Sequence, residues 1–163
     1  DNGGFYFTSN DHEVLIVRNK DFYDNATPSG NSVAADVLQR LAKLTGEEKY
    51  ERFAATVLRL AAPLMKRHPQ GFGRTLSAME FFLAPTKEIV IIGERGSEVE
   101  RAVRNEYLPN AVIVVSESIS DELSLLKGRE MIDGKPTIYV CENFVCQRPV
   151  TAVAGLRKQI AEA

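Results

Sequence analysis

The run DNATPSGNS, residues 24–32, gathers carboxylate, hydroxyl and amide side chains in one short segment. Two interpretations are open, and the residue types favour the first. Its Ser and Asn residues can cap the helix that follows, because their side chains accept hydrogen bonds from the free N–H groups of a first turn. Alternatively, the same groups line a polar cleft, since the N-terminus of a helix favours a polar or anionic ligand.

Charged side chains just upstream favour the cleft interpretation, because a helix cap does not require them. Arg18, Lys20 and Asp21 lie within seven residues of Asp24. The candidate ligand-binding residues are therefore Lys20, Asp21, Asp24, Ser29, Asn31 and Ser32. The pattern contains no recognisable catalytic acid or base, so the catalytic residues are unknown.

The segment CENFVC contains both cysteines of the chain, Cys141 and Cys146. Four residues separate them, whereas redox active sites and zinc knuckles use a spacing of two. Structural thiols are the favoured interpretation, and a local disulfide with a redox role is the alternative. The two histidines, His12 and His68, lie far away in sequence, so no metal site is predicted.

The segment IVIIGERGSEVE places Gly93 and Gly96 between an apolar run and a capped helix. Phosphate-binding turns begin in this way, but the three-glycine fingerprint and the P-loop lysine are absent. Glu94 would also repel a phosphate group. A plain strand-to-helix turn is the favoured interpretation, nucleotide binding is the alternative, and no cofactor is predicted.

Composition narrows the class of protein. The chain has 163 residues, a net charge of −2 and no strongly basic run, so we expect one or two domains and no nucleic-acid partner. It contains no apolar run of membrane-spanning length, so no membrane partner is expected either. Two cysteines fit a reducing compartment and a cytoplasmic location. Because the chain begins inside a strand-like pattern, we expect it to be a piece of a longer protein.

The first half predicts a β-hairpin followed by helices. Residues 3–7 and 13–17 have strand-like composition and flank a polar turn. Helices are predicted over 31–44, 46–67 and 71–83. In the first helix the apolar stripe expected to face the core consists of Val33, Val37, Leu41 and Leu44.

The second half predicts a small parallel sheet. Three apolar runs rich in β-branched residues, 88–92, 111–115 and 137–141, are typical of strands buried on both faces. Helices are predicted over three segments: 98–108, 121–127 and 151–162. The alternation indicates a three-stranded parallel βαβαβα domain. The class is α/β overall, with domains at 1–84 and 85–163.

The motifs taken together resemble a known family. DNATPSGNS with its flanking residues, KEIVIIGERG, YLPNAVIVV and YVCENFVCQRPV occur here in the same order as in the C-terminal part of the spermatogenesis-associated protein 20 (YyaL-like) family. A full-length protein of that family resembles a thioredoxin-like domain followed by a six-hairpin (α/α)6 toroid. The toroid is similar to those of glycosidases and epimerases that act on sugars. The activity of the family is poorly defined.

The resemblance implies a partner and a ligand class. The first 84 residues would be a hairpin and helices from the toroid, and the chain by itself would be non-catalytic. The partner would be the N-terminal remainder of the parent protein, or a second copy of the chain, because helices cut from a ring keep unpaired apolar faces. The run at 24–32 would face the toroid cleft, where the alternative function is to bind or process a carbohydrate.

Overall fold

The computed structural model describes residues 2–11, 13, 16–121 and 123–161. They divide into two compact units. Unit 1 comprises Asp1–Ala42 with Glu47–Ala84, and unit 2 comprises Lys43–Gly46 with Pro85–Ala163.

Unit 1 is helical. Its helices are α1 (Gly30–Thr45), whose last three residues belong to unit 2, α2 (Glu48–Arg67) and α3 (Gly73–Leu83). A short 3₁₀ turn separates α2 from α3. The three predicted helices are thus present, and α2 continues through Pro63. Thr45 does not cap α2, whose N-cap residue is Glu47.

The predicted N-terminal β-hairpin is wrong. Residues 2–11 contain no strand, and neither do 13, 16 and 17 of the second predicted strand. Val14 and Leu15 lie outside the described residues. The segment 3–7 is instead tied to the rest of unit 1 by side chains, since its backbone at Phe5 bonds to the amide of Asn31. The aromatic and β-branched side chains of these segments stay largely exposed, with Phe7 at 82% and Val17 at 64%. Their composition does not produce strands here, because strand propensity reflects packing on a half-buried surface.

Helix α1 buries the face opposite to the predicted one. Val33 and Val37 are 39% and 45% exposed. The buried residues of α1 are mostly small or polar: Asn31, Ser32, Ala35, Asp36, Gln39 and Ala42. Gln39 lowers the cost of burying this polar face. Its side-chain amide donates to the backbone oxygens of Ala35 and Ala78 at 3.0 Å each. Hydrogen bonding offsets the cost of burying such groups.

The core of unit 1 lies between its helices. Ala35 of α1 packs with Val57 and Leu58 of α2 and Ala78 of α3. A second cluster joins Ala61, Met65 and Phe72, and Phe22 contacts both clusters. Small alanines at these contacts let the helix backbones approach closely.

Unit 2 is built on a mixed sheet. Its strands are β1 (Lys87–Ile92), β2 (Ala111–Ser116), β3 (Thr137–Glu142) and β4 (Val145–Cys146), in the spatial order β2-β1-β3-β4. β1 pairs with β2 in parallel and with β3 antiparallel, and β3 pairs antiparallel with β4.

The predicted parallel three-stranded βαβαβα domain is therefore wrong. The predicted helix at 121–127 does not form among the described residues, and the segment between β2 and β3 is made of turns. Asp133 and Gly134 have φ of 52° and 67° in a tight turn just before β3. Without a crossover helix the chain does not return to the start of the sheet, and β3 runs against β1.

Two helices cover the sheet of unit 2. They are α4 (Glu98–Asn105) and α5 (Val153–Ala161). The cap predicted for α4 is present, because the Ser97 side chain accepts a hydrogen bond from the Glu100 backbone N–H. The core combines strand and helix residues: Ile89, Ile91, Val99, Val103, Ala111, Ile138, Val140 and Leu156.

Candidate functional site

The Asp24 carboxylate in unit 1 joins the starts of two helices. Its Oδ1 atom accepts hydrogen bonds from the backbone N–H of Ser29 at 2.9 Å and the hydroxyl of Ser32 at 2.6 Å. Its Oδ2 atom accepts from the backbone N–H and the hydroxyl of Thr75 at 3.0 and 3.3 Å. Ser29 and Ser32 lie at the N-terminus of α1 and Thr75 lies in the first turn of α3. Asp24 therefore supplies acceptors to both helix ends.

These hydrogen bonds also determine the charge state of Asp24. Burial opposes ionisation, but the bonds from Ser32, Ser29 and Thr75 together outweigh it and lower the pKa of the carboxyl group below its ordinary value. Asp24 is thus an anion at neutral pH, stabilised by donors of its own chain.

Asn31 is a buried link between three segments. It is 2% exposed. Its Oδ1 accepts from the backbone N–H of Phe5 at 2.7 Å, and its Nδ2 donates to the oxygens of Phe5 and Asp21 at 3.0 and 2.7 Å. Four of the six predicted ligand-binding residues thus hold the polar run against the helices through their own hydrogen bonds: Asp24, Ser29, Asn31 and Ser32.

Lys20 and Asp21 occupy a different position in unit 1. They line a cavity of about 490 Å³ together with Phe7, Thr8, Val17 and Asn19. The Lys20 ammonium donates to the oxygen of Gly3 at 2.7 Å and lies 4.3 Å from the ring centre of Tyr6. Asp21 is exposed, and its Oδ1 accepts from the backbone N–H of Tyr23 at 3.0 Å. This cavity combines an ammonium group, a carboxylate and an aromatic ring.

A second candidate site lies in unit 2, where a disulfide joins Cys141 and Cys146. The two residues face each other across β3 and β4. The turn between these strands has positive φ at Asn143 and Phe144, 50° and 64°. Two successive positive φ values are typical of the tight hairpin turn that fits strand twist. The turn thereby places the two sulfur atoms in reach of each other.

The two cysteines differ in accessibility. Cys141 is buried at 2% exposure, whereas Cys146 is exposed. Cys146 borders a cavity of about 680 Å³, which we call the disulfide pocket. Its lining residues are Ser124, Lys127, Gly128, Arg129, Tyr139, Phe144, Cys146, Gln147, Arg148 and Pro149. Cys146 is therefore the more accessible of the two residues to a thiol reagent in the pocket.

Arg129 contacts both sulfur atoms. Its Nη2 atom lies 3.4 Å from Sγ of Cys141 and 3.0 Å from Sγ of Cys146. Arg129 is 7% exposed, and its Nη1 donates to the Leu125 oxygen. Its Nε atom is buried and has no hydrogen-bond partner. Desolvation lowers the pKa of this guanidinium, while the Glu88 carboxylate acts in the opposite direction.

Glu88 is a fully buried acid within the apolar strand β1. It pairs in register with Cys141. Its Oε2 atom accepts from the backbone N–H of Phe144 at 2.8 Å, and its Oε1 atom lies 3.8 Å from the ammonium of Lys43. Glu88 therefore anchors the hairpin turn and balances nearby positive charge. The sequence analysis named neither Glu88 nor Arg129 as a site residue. The carboxylate that begins the apolar run EIVII could have indicated a buried charge.

The glycine turn after β1 is occupied by internal contacts. Gly93 donates its N–H to the Ser116 oxygen at 2.9 Å, and Gly96 donates to Oε2 of Glu100 at 2.7 Å. A phosphate would compete with these bonds.

Neither a metal-binding cluster nor a membrane-spanning helix is present among the described residues. Residues 2–11, 13, 16–121 and 123–161 contain no cluster of three His, Cys, Asp or Glu side chains that could hold a metal ion. No helix within the same ranges combines the length and apolar character needed to cross a membrane.

The chain is similar along most of its length to several curated proteins. It is 33% identical over 168 residues to spermatogenesis-associated protein 20 of Homo sapiens, a match that covers 96% of this chain and 21% of the human protein. The Mus musculus protein of the same name is 33% identical over 171 residues, with the same two coverages. An uncharacterised protein of Caenorhabditis elegans is 27% identical over 95% of this chain and 22% of its own length. No protein-family model matches.

These matches confirm the resemblance stated from the sequence. The similarity extends along nearly the whole chain, and the chain spans about a fifth of the length of the curated relatives it matches. This is consistent with a C-terminal part of such a protein.

Proposed function

We propose that this chain, similar to spermatogenesis-associated protein 20 over 96% of its length, is a non-catalytic module that docks onto the N-terminal remainder of a longer parent protein. By resemblance, that remainder holds a thioredoxin-like domain and the rest of a helical toroid. A cytoplasmic location is proposed from the low cysteine count. The observation that carries the proposal is the exposed apolar face of α1.

The face of α1 that meets solvent is the one that its sequence makes apolar. Val33 and Val37 are one helical turn apart and about two-fifths exposed, while the polar side of the helix is buried. A helix normally buries its apolar stripe and exposes polar residues. This reversal is explained if a further segment covers Val33 and Val37.

Helices α2 and α3 present further apolar side chains. Phe53 of α2 is 53% exposed, and Leu76 and Leu83 of α3 are 42% and 73% exposed. Leu76 and Leu83 are seven residues apart and therefore lie on one side of α3. In a ring of helices each helix packs against neighbours on both sides, so these side chains would be covered in the parent.

Mixing the chain with the separately expressed remainder of its parent tests the proposal. We expect a one-to-one complex by light scattering and calorimetry. The double variant V33D/V37D should weaken it at least tenfold, because two charges would have to be desolvated at the interface. The control is R52D, which changes the net charge by the same amount at an exposed position of α2.

Two outcomes would contradict docking. One is the absence of association at micromolar concentration. The other is equal weakening by V33D/V37D and R52D, which would indicate a general effect of charge. If the chain instead formed a homodimer that the remainder could not dissociate, the partner would be a second copy and the docking proposal would fail.

A second candidate function, binding of a carbohydrate, is supported by the cavity around Lys20 and Asp21. Its lining combines charged and amide side chains with the ring of Phe7, and sugar hydroxyls need donors and acceptors beside an apolar surface. The charged pair is separate from the Asp24 network, so it can be changed without removing the helix caps.

The test uses the intact parent and a panel of neutral monosaccharides in calorimetry. K20M/D21N should abolish binding while leaving the melting temperature within about 2 °C, whereas D11N, an exposed acid outside the cavity lining, should bind normally. If K20M/D21N bound sugars as well as the unchanged protein, the cavity would have no role in binding.

A further inference from the structure

The disulfide pocket has the features of a thiol-exchange site. An exposed residue, Cys146, borders a cavity, and its disulfide partner, Cys141, is buried. A buried guanidinium contacts both. The docking surface of unit 1 uses none of these residues.

We propose that Cys141 and Cys146 form an exchangeable redox pair, that its reductant is a dithiol, and that Arg129 stabilises the thiolates formed when the disulfide opens. The pair accepts two electrons through Cys146 and is reoxidised by a disulfide substrate in the reverse reaction.

Accessibility determines the order of the bonds that break. A thiolate of the dithiol attacks Sγ of Cys146, because Sγ of Cys141 is covered. The bond between the two protein sulfurs breaks and Cys141 leaves as a thiolate. The second thiol of the reductant, once deprotonated, attacks its own sulfur in the mixed disulfide and releases Cys146 as a thiolate. The reductant ends as a disulfide, and the protein gains two electrons and binds up to two protons.

Arg129 acts on the leaving group in the first step and on the product of the second. Its Nη2 atom is within hydrogen-bond distance of both sulfurs in the closed disulfide. A neighbouring guanidinium lowers a cysteine pKa into the range of roughly 3.5–7.5 from about 8.5. Burial strengthens this effect, because the interaction is screened less by water. Arg129 is thus a positioning and charge-stabilising residue.

Other charged groups near the pair modify this effect. Glu88 on β1 and Glu142 on β3 oppose thiolate formation. Lys43 lies 3.8 Å from Glu88 and partly neutralises it. The remaining ionisable groups line the pocket: Lys127, Tyr139 and Arg148. Cations outnumber carboxylates, so the balance favours thiolate.

The experiment measures thiolate formation in the reduced full chain. Alkylation by iodoacetamide is followed between pH 5 and 10, and mass spectrometry separates Cys141 from Cys146. We expect Cys146 to titrate between roughly pH 6 and 7.5. Arg129→Met should raise that pKa by about one unit or more and slow alkylation at pH 6 about five- to tenfold, because the thiolate fraction falls by that factor. Arg129→Lys, which keeps the charge, should restore the rate to within about threefold.

The matched control is Arg148→Met, which removes a pocket cation that makes no hydrogen bond to either sulfur and should change the rate less than twofold. Equilibration with glutathione buffers provides a second readout, in which the oxidised fraction of the unchanged protein should follow the buffer ratio, and dithiothreitol should open the disulfide within minutes.

Three results would overturn the proposal. The first is a Cys146 pKa of about 8 or higher in the unchanged protein, which needs no variant and decides the matter even if Arg129→Met fails to fold. The second is a disulfide that stays fully oxidised across all glutathione ratios. The third is an equal response of Arg129→Met and Arg148→Met.

Discussion

Replacing Asp24 by Ala should destabilise unit 1 by about 2–4 kcal/mol. Asp24 supplies an acceptor to the N-terminus of α1 through Ser29 and to that of α3 through Thr75. Loss of one helix N-cap costs about 0.5–2 kcal/mol, so two caps account for roughly 2 kcal/mol. The hydroxyls of Ser32 and Thr75 also lose a charged acceptor. Water can reach this half-buried side chain, which limits the total.

Two measurements check the size and place of this effect. Urea denaturation followed by circular dichroism gives the change in the free energy of unfolding. Amide hydrogen exchange at Ser29 and Thr75 gives the local change, and 2 kcal/mol corresponds to roughly 30-fold faster exchange. The control is Asp21→Ala, because Asp21 is exposed and its side chain accepts a hydrogen bond from the backbone N–H of Tyr23 in its own loop. We expect about 0.5 kcal/mol for the control.

Acid should remove the stabilisation that the Asp24 carboxylate gives to unit 1. The pKa of Asp24 is lowered in the folded state from its ordinary 3.8. The stabilisation is therefore complete at neutral pH and is lost as the pH falls below about 3.8 towards the lower folded pKa. The difference in stability between the unchanged protein and Asp24→Asn should narrow over that interval. If Asp24→Ala cost no more than Asp21→Ala, or if the difference were independent of pH, the capping role would be refuted.

Three further predictions concern unit 2 and are read from thermal or urea denaturation. Gly93→Ala should cost about 2 kcal/mol or more, because φ is +145° and the new Cβ would lie 2.9 Å from the Pro136 backbone; an unchanged midpoint would contradict this. Ser97→Ala should cost about 1 kcal/mol through loss of the α4 cap, and an effect below 0.3 kcal/mol would refute it. Glu88→Ala should cost about 3 kcal/mol by leaving buried positive charge uncompensated, far more than Glu142→Ala at an exposed position.

Helix positions could be predicted from the sequence, but the buried face of α1 could not. Apolar residues recur at helical spacing, and Gly and Pro mark the ends, so α1, α2 and α3 lie close to their predicted ranges. Periodicity identifies the apolar side of a helix without identifying what covers it. In α1 the side that faces α2 and α3 carries small and polar residues, and Gln39 satisfies its own hydrogen bonds there.

Strand positions were likewise predictable, whereas strand direction was not. The runs 88–92, 111–115 and 137–141 coincide with β1, β2 and β3. A central strand is buried on both faces in a mixed sheet as well as in a parallel one, so its composition does not distinguish the two. The direction of β3 depends on the connection that precedes it. In that connection the described residues form turns in place of the predicted helix.

The pairing of Cys141 with Cys146 depends on a hairpin turn whose residue types do not indicate such a turn. A hairpin turn with two positive φ values usually carries Asn-Gly, whereas here Phe144 adopts φ of 64°. Positive φ is uncommon for a bulky side chain, so it requires support from its surroundings. Glu88 provides that support by accepting the Phe144 N–H from the neighbouring strand. The buried acid at the start of an apolar run therefore helps to hold the turn that brings the two sulfurs together.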